Sequence, residues 1–454
     1  MFLRRSIPVA VVLTLGLVLQ GCAGKGPPTL ALMPAPEAFA EGAFDRAADD
    51  RPVGDIPDGG LLYATGRQKS PGNAPGDFYT TERSLVVHLG EAQISVSRPE
   101  ITWRQARELA LLKAPTRDYP IQVAGVTEYG ILDRSVTPYV DPGPQAIPPG
   151  AATARFAAEV NRRLDRAGQK DVYIYVHGYK VTFDNPVLVA AEMWHFMGYE
   201  GVFIAYSWPA TPEATAYVGD VDTAMGMARN LRELVHALET ETKAERIHII
   251  GYSAGTRLVG RTLEQMALLN RDRPEGAYRY GSRLENVFLV SSDVDRAVFG
   301  AYLADGILDV SRHLIIYASD KDDALRISEG ITGHQRLGQA IKGEAVPPAF
   351  AELLKSRADR ISYIDVSGAP NVESGNGHGY FRGSPWVSSD LMVKLMYRLD
   401  PEVRGLVRDP GTGILAFPAD YDRRMQQALS GVKPPRPGTT SNGHAVSGDG
   451  KDIP

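Results

Sequence analysis

The amino-acid sequence predicts an α/β protein with a mainly parallel, doubly wound sheet, and three observations carry that prediction. Apolar runs at 172–176, 202–206, 247–250, 287–290, 314–317 and 361–366 alternate with stretches of helical periodicity, the pattern of strands covered on both faces by crossover helices. Within that series Ile247, Ile249 and Ile250 break sharply into Gly251-Tyr252-Ser253-Ala254-Gly255, after which Leu258, Val259, Leu263, Met266 and Leu269 are spaced to cover one helical face. Downstream, a carboxylate-rich loop and then a glycine-flanked histidine follow the ends of later strands, where open parallel sheets place their sites.

A strand, a G-x-S-x-G turn and a helix form a nucleophile elbow, so the expected architecture is the α/β-hydrolase fold. The two glycines stand where a side chain would collide with the neighbouring strand or helix, and the turn lifts the Ser253 hydroxyl clear of the sheet. The N–H of Ala254, at the helix start, then faces the place where a negative oxygen would develop.

The elements run in order as follows. Residues 1–22 read as a signal sequence, with Arg4 and Arg5 ahead of an apolar run at 9–19 too short for a comfortable membrane span. Leu19-Gln20-Gly21-Cys22 then resembles the bacterial lipobox, whose cysteine is acylated and becomes the new N-terminus. Residues 23–58, rich in Pro, Gly and Ala, are expected to tether lipid to domain. Alternating runs at 61–65, 85–87, 92–96 and 121–126 predict a β-rich segment over 59–150, either the antiparallel edge of the main sheet or a separate layer. A Pro/Gly cluster at 142–150 separates it from the hydrolase core at 151–405. That core begins with a helix at 152–167 and includes helices at 186–197, 222–238, 297–303 and 388–399. An extension at 406–454 is expected to lose order from about 433, where Pro, Gly, Ser and Asn dominate.

Composition narrows the chemistry. A net charge of −5 gives no reason to expect a nucleic-acid partner. Cys22 is the only cysteine, so a mature domain in an oxidising compartment would carry neither disulfide nor free thiol. There is no H-E-x-x-H and no Cys/His cluster, so no metal and no cofactor is expected.

A serine hydroxyl needs a general base within hydrogen-bond reach, and that base needs an orienting acid. In this fold they follow the serine in the order acid, then histidine. After the run at 314–317 come Ala318-Ser319-Asp320-Lys321-Asp322-Asp323; at most one of these carboxylates should point inward, because neighbouring like charges cannot all be buried. Asp320 and Asp322 are both candidates. Gly375-Asn376-Gly377-His378-Gly379 follows the last strand and offers His378 as base on a flexible loop, with His334 the weaker alternative. His248 and His195 read as packing residues, and His444 lies in the tail. His177-Gly178-Tyr179, just after the strand at 172–176, offers the N–H of Tyr179 as the second oxyanion donor beside Ala254.

Thr65-Gly66-Arg67, His177-Gly178-Tyr179, Ser207-Trp208-Pro209, Tyr217 with Asp220, the elbow, Ser319 to Leu325, and His378 with Tyr380 together resemble a bacterial α/β-hydrolase family of unknown function, the DUF900 type, over roughly 61–399. The resemblance implies the fold, and its D-x-A-L pattern implies Asp322 (Asp322-Asp323-Ala324-Leu325) as the acid, with Asp320 the alternative. Many relatives carry His before the elbow serine and Met after it, where Tyr252 and Ala254 stand here. The sequence thus predicts a lipid-anchored serine hydrolase acting on an ester of a lipid, an acylated envelope glycan or an imported small molecule. Its expected place is the bacterial envelope, on the periplasmic face of the outer membrane. A non-catalytic scaffold lipoprotein and an acyltransferase are the alternatives.

Overall fold

The computed structural model describes residues 28–34, 36–40, 56–96, 116–140 and 150–432. The signal sequence with Cys22, most of 23–58 and the tail from 433 lie outside them. The strands are β1 (Thr29–Leu32), β2 (Gly60–Lys69), β3 (Tyr79–Val96), β4 (Thr116–Ile131), β5 (Asp171–Val176), β6 (Val202–Ser207), β7 (Arg246–Tyr252), β8 (Leu284–Val290), β9 (His313–Ala318), β10 (Ile361–Asp365), β11 (Val407–Arg408) and β12 (Leu415–Ala416). They form one sheet in the order β1-β4-β3-β2-β6-β5-β7-β8-β9-β10-β12-β11. From β2 to β12 neighbouring strands are parallel, as the uninterrupted apolar runs predict.

The β-rich segment belongs to this sheet and forms no separate layer. Leu62 to Thr65 of β2 pair in parallel with Ile204 to Ser207 of β6, while β3, β4 and β1 follow antiparallel. The expectation of a flexible tether over 23–58 needs correction for its described part. Thr29–Leu32 pairs with β4, and helix Glu37–Ala40 follows. The Met33 N–H donates to Glu192 Oε1 and the Ala38 N–H to Ser389 Oγ, at 2.5 and 2.9 Å. Pro and Gly on both sides hide these short elements from any periodicity argument.

Side chains alternate across the sheet. Val172, Ile174 and Val176 enter one core with helices Ala151–Arg166, Ala228–Glu241 and Gly255–Asn270; Tyr173 and Tyr175 enter the other, with helices Asp184–Phe196 and Pro385–Tyr397. Each fully buried aliphatic side chain here contributes roughly 1.5–3 kcal/mol. The helix expected at 222–238 is two helices, Tyr217–Gly226 and Ala228–Glu241, broken beside Gly226, where a Cβ would meet the Arg83 guanidinium at 3.2 Å. Helix Asp323–Thr332 had no counterpart in the sequence reading, because its apolar side chains Ile327 and Ile331 face outward and leave no core-facing stripe. Among the described residues no helix is long and apolar enough to cross a membrane.

Candidate active site

β7 ends in a turn whose Ser253 has φ +52, a left-handed conformation that costs a non-glycine residue about 1 kcal/mol or more. The turn is fixed from both sides. The Ser253 N–H donates to Val290 O at 3.0 Å, and the Thr256 hydroxyl donates to Ser253 O at 2.6 Å. Gly255 is required by close approach, since a Cβ there would lie 2.2 Å from His177 O. The elbow helix can therefore press against the end of β5, and Gly178 comes close enough that its own Cβ would stand 2.9 Å from that of Ser253.

Three side chains from three loops meet here. His378 Nε2 lies 2.7 Å from Ser253 Oγ, and His378 Nδ1 lies 2.9 and 2.8 Å from the two carboxylate oxygens of Asp322. The Asp322 side chain is fully buried, and that of His378 is 12% exposed. Asp322 is also the N-cap of helix Asp323–Thr332, its Oδ1 accepting the Leu325 N–H at 3.0 Å.

The other carboxylates point elsewhere. Asp320 is one-third exposed and pairs with Lys342; burial pushes its carboxyl up, but the Lys342 ammonium outweighs this and holds it below its ordinary value. Asp323 pairs with Arg326 at the surface. His334 is exposed beside Asp295, far from the relay's contacts, while His248 is buried and stacked on Tyr173, and His195 lies on helix Asp184–Phe196. His444 lies outside the described residues.

The histidine loop is not held by flexibility, and here the sequence expectation is corrected. Gly377 has φ +67, and a Cβ on it would lie 1.9 Å from Lys321 O, so the base loop packs backbone to backbone on the acid loop. The Asp323 N–H donates to Asn376 O at 3.0 Å. The Ser291 hydroxyl donates to His378 O at 2.8 Å, and the Tyr380 hydroxyl donates to Tyr317 O while accepting the Ser291 N–H. Tyr252, the residue before the elbow serine, lies with its ring 5.1 Å from the His378 imidazole.

Tyr179 and Ala254 flank the serine from the ends of β5 and β7, and among the described residues neither N–H meets a protein acceptor. The loop bearing Tyr179 is held from several directions. The Trp208 indole donates to His177 O at 2.7 Å and its ring stacks on the imidazole. Burial, aided by the Arg67 charge, pulls His177 down to about 3, so it is neutral. The Tyr179 ring packs edge-on against Tyr217, and Asp220 accepts both the N–H and the hydroxyl of Thr211. Arg67 is fully buried and donates to Val181 O at 2.8 Å, Ala210 O at 3.0 Å and Ser207 Oγ at 3.0 Å, joining the loops after β5 and β6. Burial pulls its guanidinium down, countered by Asp220 and Asp184, to about 9, so it remains cationic at neutral pH.

The sequence profile described as alpha/beta hydrolase of unknown function (DUF900) matches residues 152–395. The chain belongs to this family. No curated protein matches it. The DUF900 match takes in Ser253, Asp322, His378, Tyr179 and Ala254, and begins with the helix before β5. It is shorter than the resemblance over 61–399, and Thr65-Gly66-Arg67 falls outside it although Arg67 braces two of the DUF900 loops. Sequence reasoning missed Ser291 and the Glu192–Arg382 ion pair behind the histidine loop; Ser291 opens an ordinary polar loop and Glu192 is a lone charge in an apolar helix, and neither has a spacing to mark it. Among the described residues no group of His, Cys, Asp and Glu is arranged to hold a metal ion.

Proposed function

We propose that this DUF900 member is a serine hydrolase cleaving carboxylic esters through an acyl-enzyme, and that it works in the bacterial envelope, anchored by lipid on Cys22. The observation that carries the reading is the unbroken relay from Ser253 Oγ through His378 to Asp322. His378 Nε2 takes the Ser253 proton as Oγ attacks the ester carbon, and Asp322 holds the other ring nitrogen protonated and stabilises the imidazolium. The N–H groups of Tyr179 and Ala254 are set to receive the oxyanion. Collapse of the tetrahedral intermediate expels the alcohol, which takes its proton from His378. Water, deprotonated by the same nitrogen, then attacks the acyl-serine; a second collapse releases the acid and restores the Ser253 hydroxyl.

The left-handed backbone of Ser253 favours this reading over a binding scaffold, which has no use for a strained serine at a tight turn. Labelling with a fluorophosphonate tests it. The wild-type protein should form a covalent adduct on the peptide bearing Ser253, and Ser253→Ala should fold normally without labelling. Undiminished labelling of that variant would defeat the assignment.

A further inference from the structure

We propose that the catalytic end of the sheet, edged by Leu85, Val218, Ile327 and Ile331, is the face that docks on the lipid bilayer; this rests on Cys22 carrying lipid. The first support is where the chain enters the fold. Pro28 lies against Gly76, so closely that a Cβ there would stand 2.7 Å from its ring, and the Gly76 N–H reaches the Asp184 carboxylate. Asp184 opens the helix that directly follows the Tyr179 loop, so Pro28 is held at the end of β5 that carries the oxyanion donors. Only six peptide steps, with five residues between, separate it from Cys22. Fully extended, they span about 20 Å, less than the diameter of a domain of this size. A lipid on Cys22 therefore keeps this end of the molecule nearest the membrane.

The second support is what that end presents. Among the described residues the three most exposed aliphatic side chains are Val218 at 71%, Ile331 at 59% and Leu85 at 57%. Leu85 lies in β3 between the partners of Thr65 and Arg67, level with the catalytic end of β2. Helix Asp323–Thr332 leaves the sheet at Asp322, and the chain returns through Leu337 and Gly338 to Val294 and Ser292, so the whole excursion lies over the ends of β8 and β9. Ile327 and Ile331, one turn apart, form its outer face. A hydrogen bond of 2.7 Å between Tyr217 and Ser328 brings the start of the helix bearing Val218 to the helix bearing Ile327 and Ile331. Aliphatic side chains on the rim of a site, at the end where the anchor enters, fit a surface that sinks into the headgroup region.

The test uses the full chain, processed in its host and reconstituted into vesicles of phosphatidylethanolamine and phosphatidylglycerol containing a lipid-bound quencher. Single cysteines are introduced by Val218→Cys and Ile331→Cys, and by Lys243→Cys as the reference. Lys243 is exposed and precedes β7, at the opposite end of the sheet. Cys22, once its sulfur is alkylated by the lipid to a thioether, does not react, so only the new thiol takes the fluorophore. The labels at 218 and 331 should lose about half of their emission while the label at 243 keeps it, the pattern of shallow insertion. With lipid on Cys22 verified by mass, equal quenching at all three positions, stronger quenching at 243, or none at any overturns the orientation alone. A mature protein without lipid on Cys22 removes the anchor reading and this proposal with it.

Discussion

Replacing Arg67 by methionine tests whether the buried arginine, which touches no part of the Ser253–His378–Asp322 relay, sets the turnover of that relay. The substitution keeps the length of the side chain but removes donors from Val181 O, Ala210 O and Ser207 Oγ, all within 3.0 Å. Leaving a buried acceptor unpaired costs about 1–3 kcal/mol, so three of them amount to about 3–9 kcal/mol, a large part of a domain's net stability. The catalytic consequence is separate. Val181 is two residues beyond Tyr179, and if the freed loop withdraws the Tyr179 N–H from the oxyanion the barrier rises by about 3 kcal/mol, or roughly 100-fold in turnover. Arg67→Lys keeps the charge but lacks the planar fork that reaches three acceptors, and should fall between. The assay is kcat/KM on a short-chain p-nitrophenyl ester, normalised to fluorophosphonate-reactive protein, with urea unfolding of the same samples. A methionine variant that unfolds earlier yet keeps wild-type turnover per reactive site would refute the link between Arg67 and the oxyanion loop.

Asp322→Asn should lower turnover by about ten-thousand-fold through loss of the correct His378 tautomer, while Asp320→Asn, which alters interactions with Lys342 and Ser367 away from the relay, should stay within a few-fold. Ester hydrolysis by the two variants checks this, and a crippled Asp320→Asn with a near-normal Asp322→Asn would reverse the assignment. Gly377→Ala forces a Cβ onto Lys321 O and should cost about 3 kcal/mol in urea unfolding and about 100-fold in turnover, since it moves the base off the acid loop. Acid should destabilise the fold well above the carboxylate range. Burial holds both His177 and His313 near 3, far below the unfolded value, so the unfolded chain binds more protons between those limits and stability falls as pH drops below about 6.5. By pH 5 each contributes a loss of about 2 kcal/mol, and a urea midpoint that does not move between pH 7 and 5 would contradict the burial of these rings.

How much of this was legible beforehand depended on whether a feature leaves a pattern along the chain. Strands β5 to β10 were readable because a strand covered on both faces must be apolar throughout, and the elbow because its glycines are dictated by backbone contacts at fixed offsets. The choice of Asp322 over Asp320 was not readable from charge or order alone. It depends on which residue caps the next helix, and that helix has its apolar face outward and shows no core-facing periodicity. The role of Arg67 was equally hidden, because its guanidinium partners are three backbone carbonyls and a serine, most of them far along the chain, and backbone acceptors carry no residue-type signature. Strand β1 escaped for a related reason: four residues at a sheet edge, set among prolines and glycines, are too short for a period to emerge.

The double duty of Asp322 bears on how activity could be lost over generations. One oxygen of this carboxylate starts a helix while the pair of them orients an imidazole, so drift at this position is confined to residues that still cap the first turn at Leu325, with asparagine and serine the changes that discard the chemistry and keep the helix. A descendant that had ceased to hydrolyse anything would still be selected to retain a capping side chain here, aspartate among them, for folding alone. Ser253 is under the opposite pressure, because its left-handed backbone is a standing cost that glycine at the same position would relieve. Loss of the serine would thus be the early mark of a dead lineage, and persistence of the aspartate would say little about whether a homologue still works.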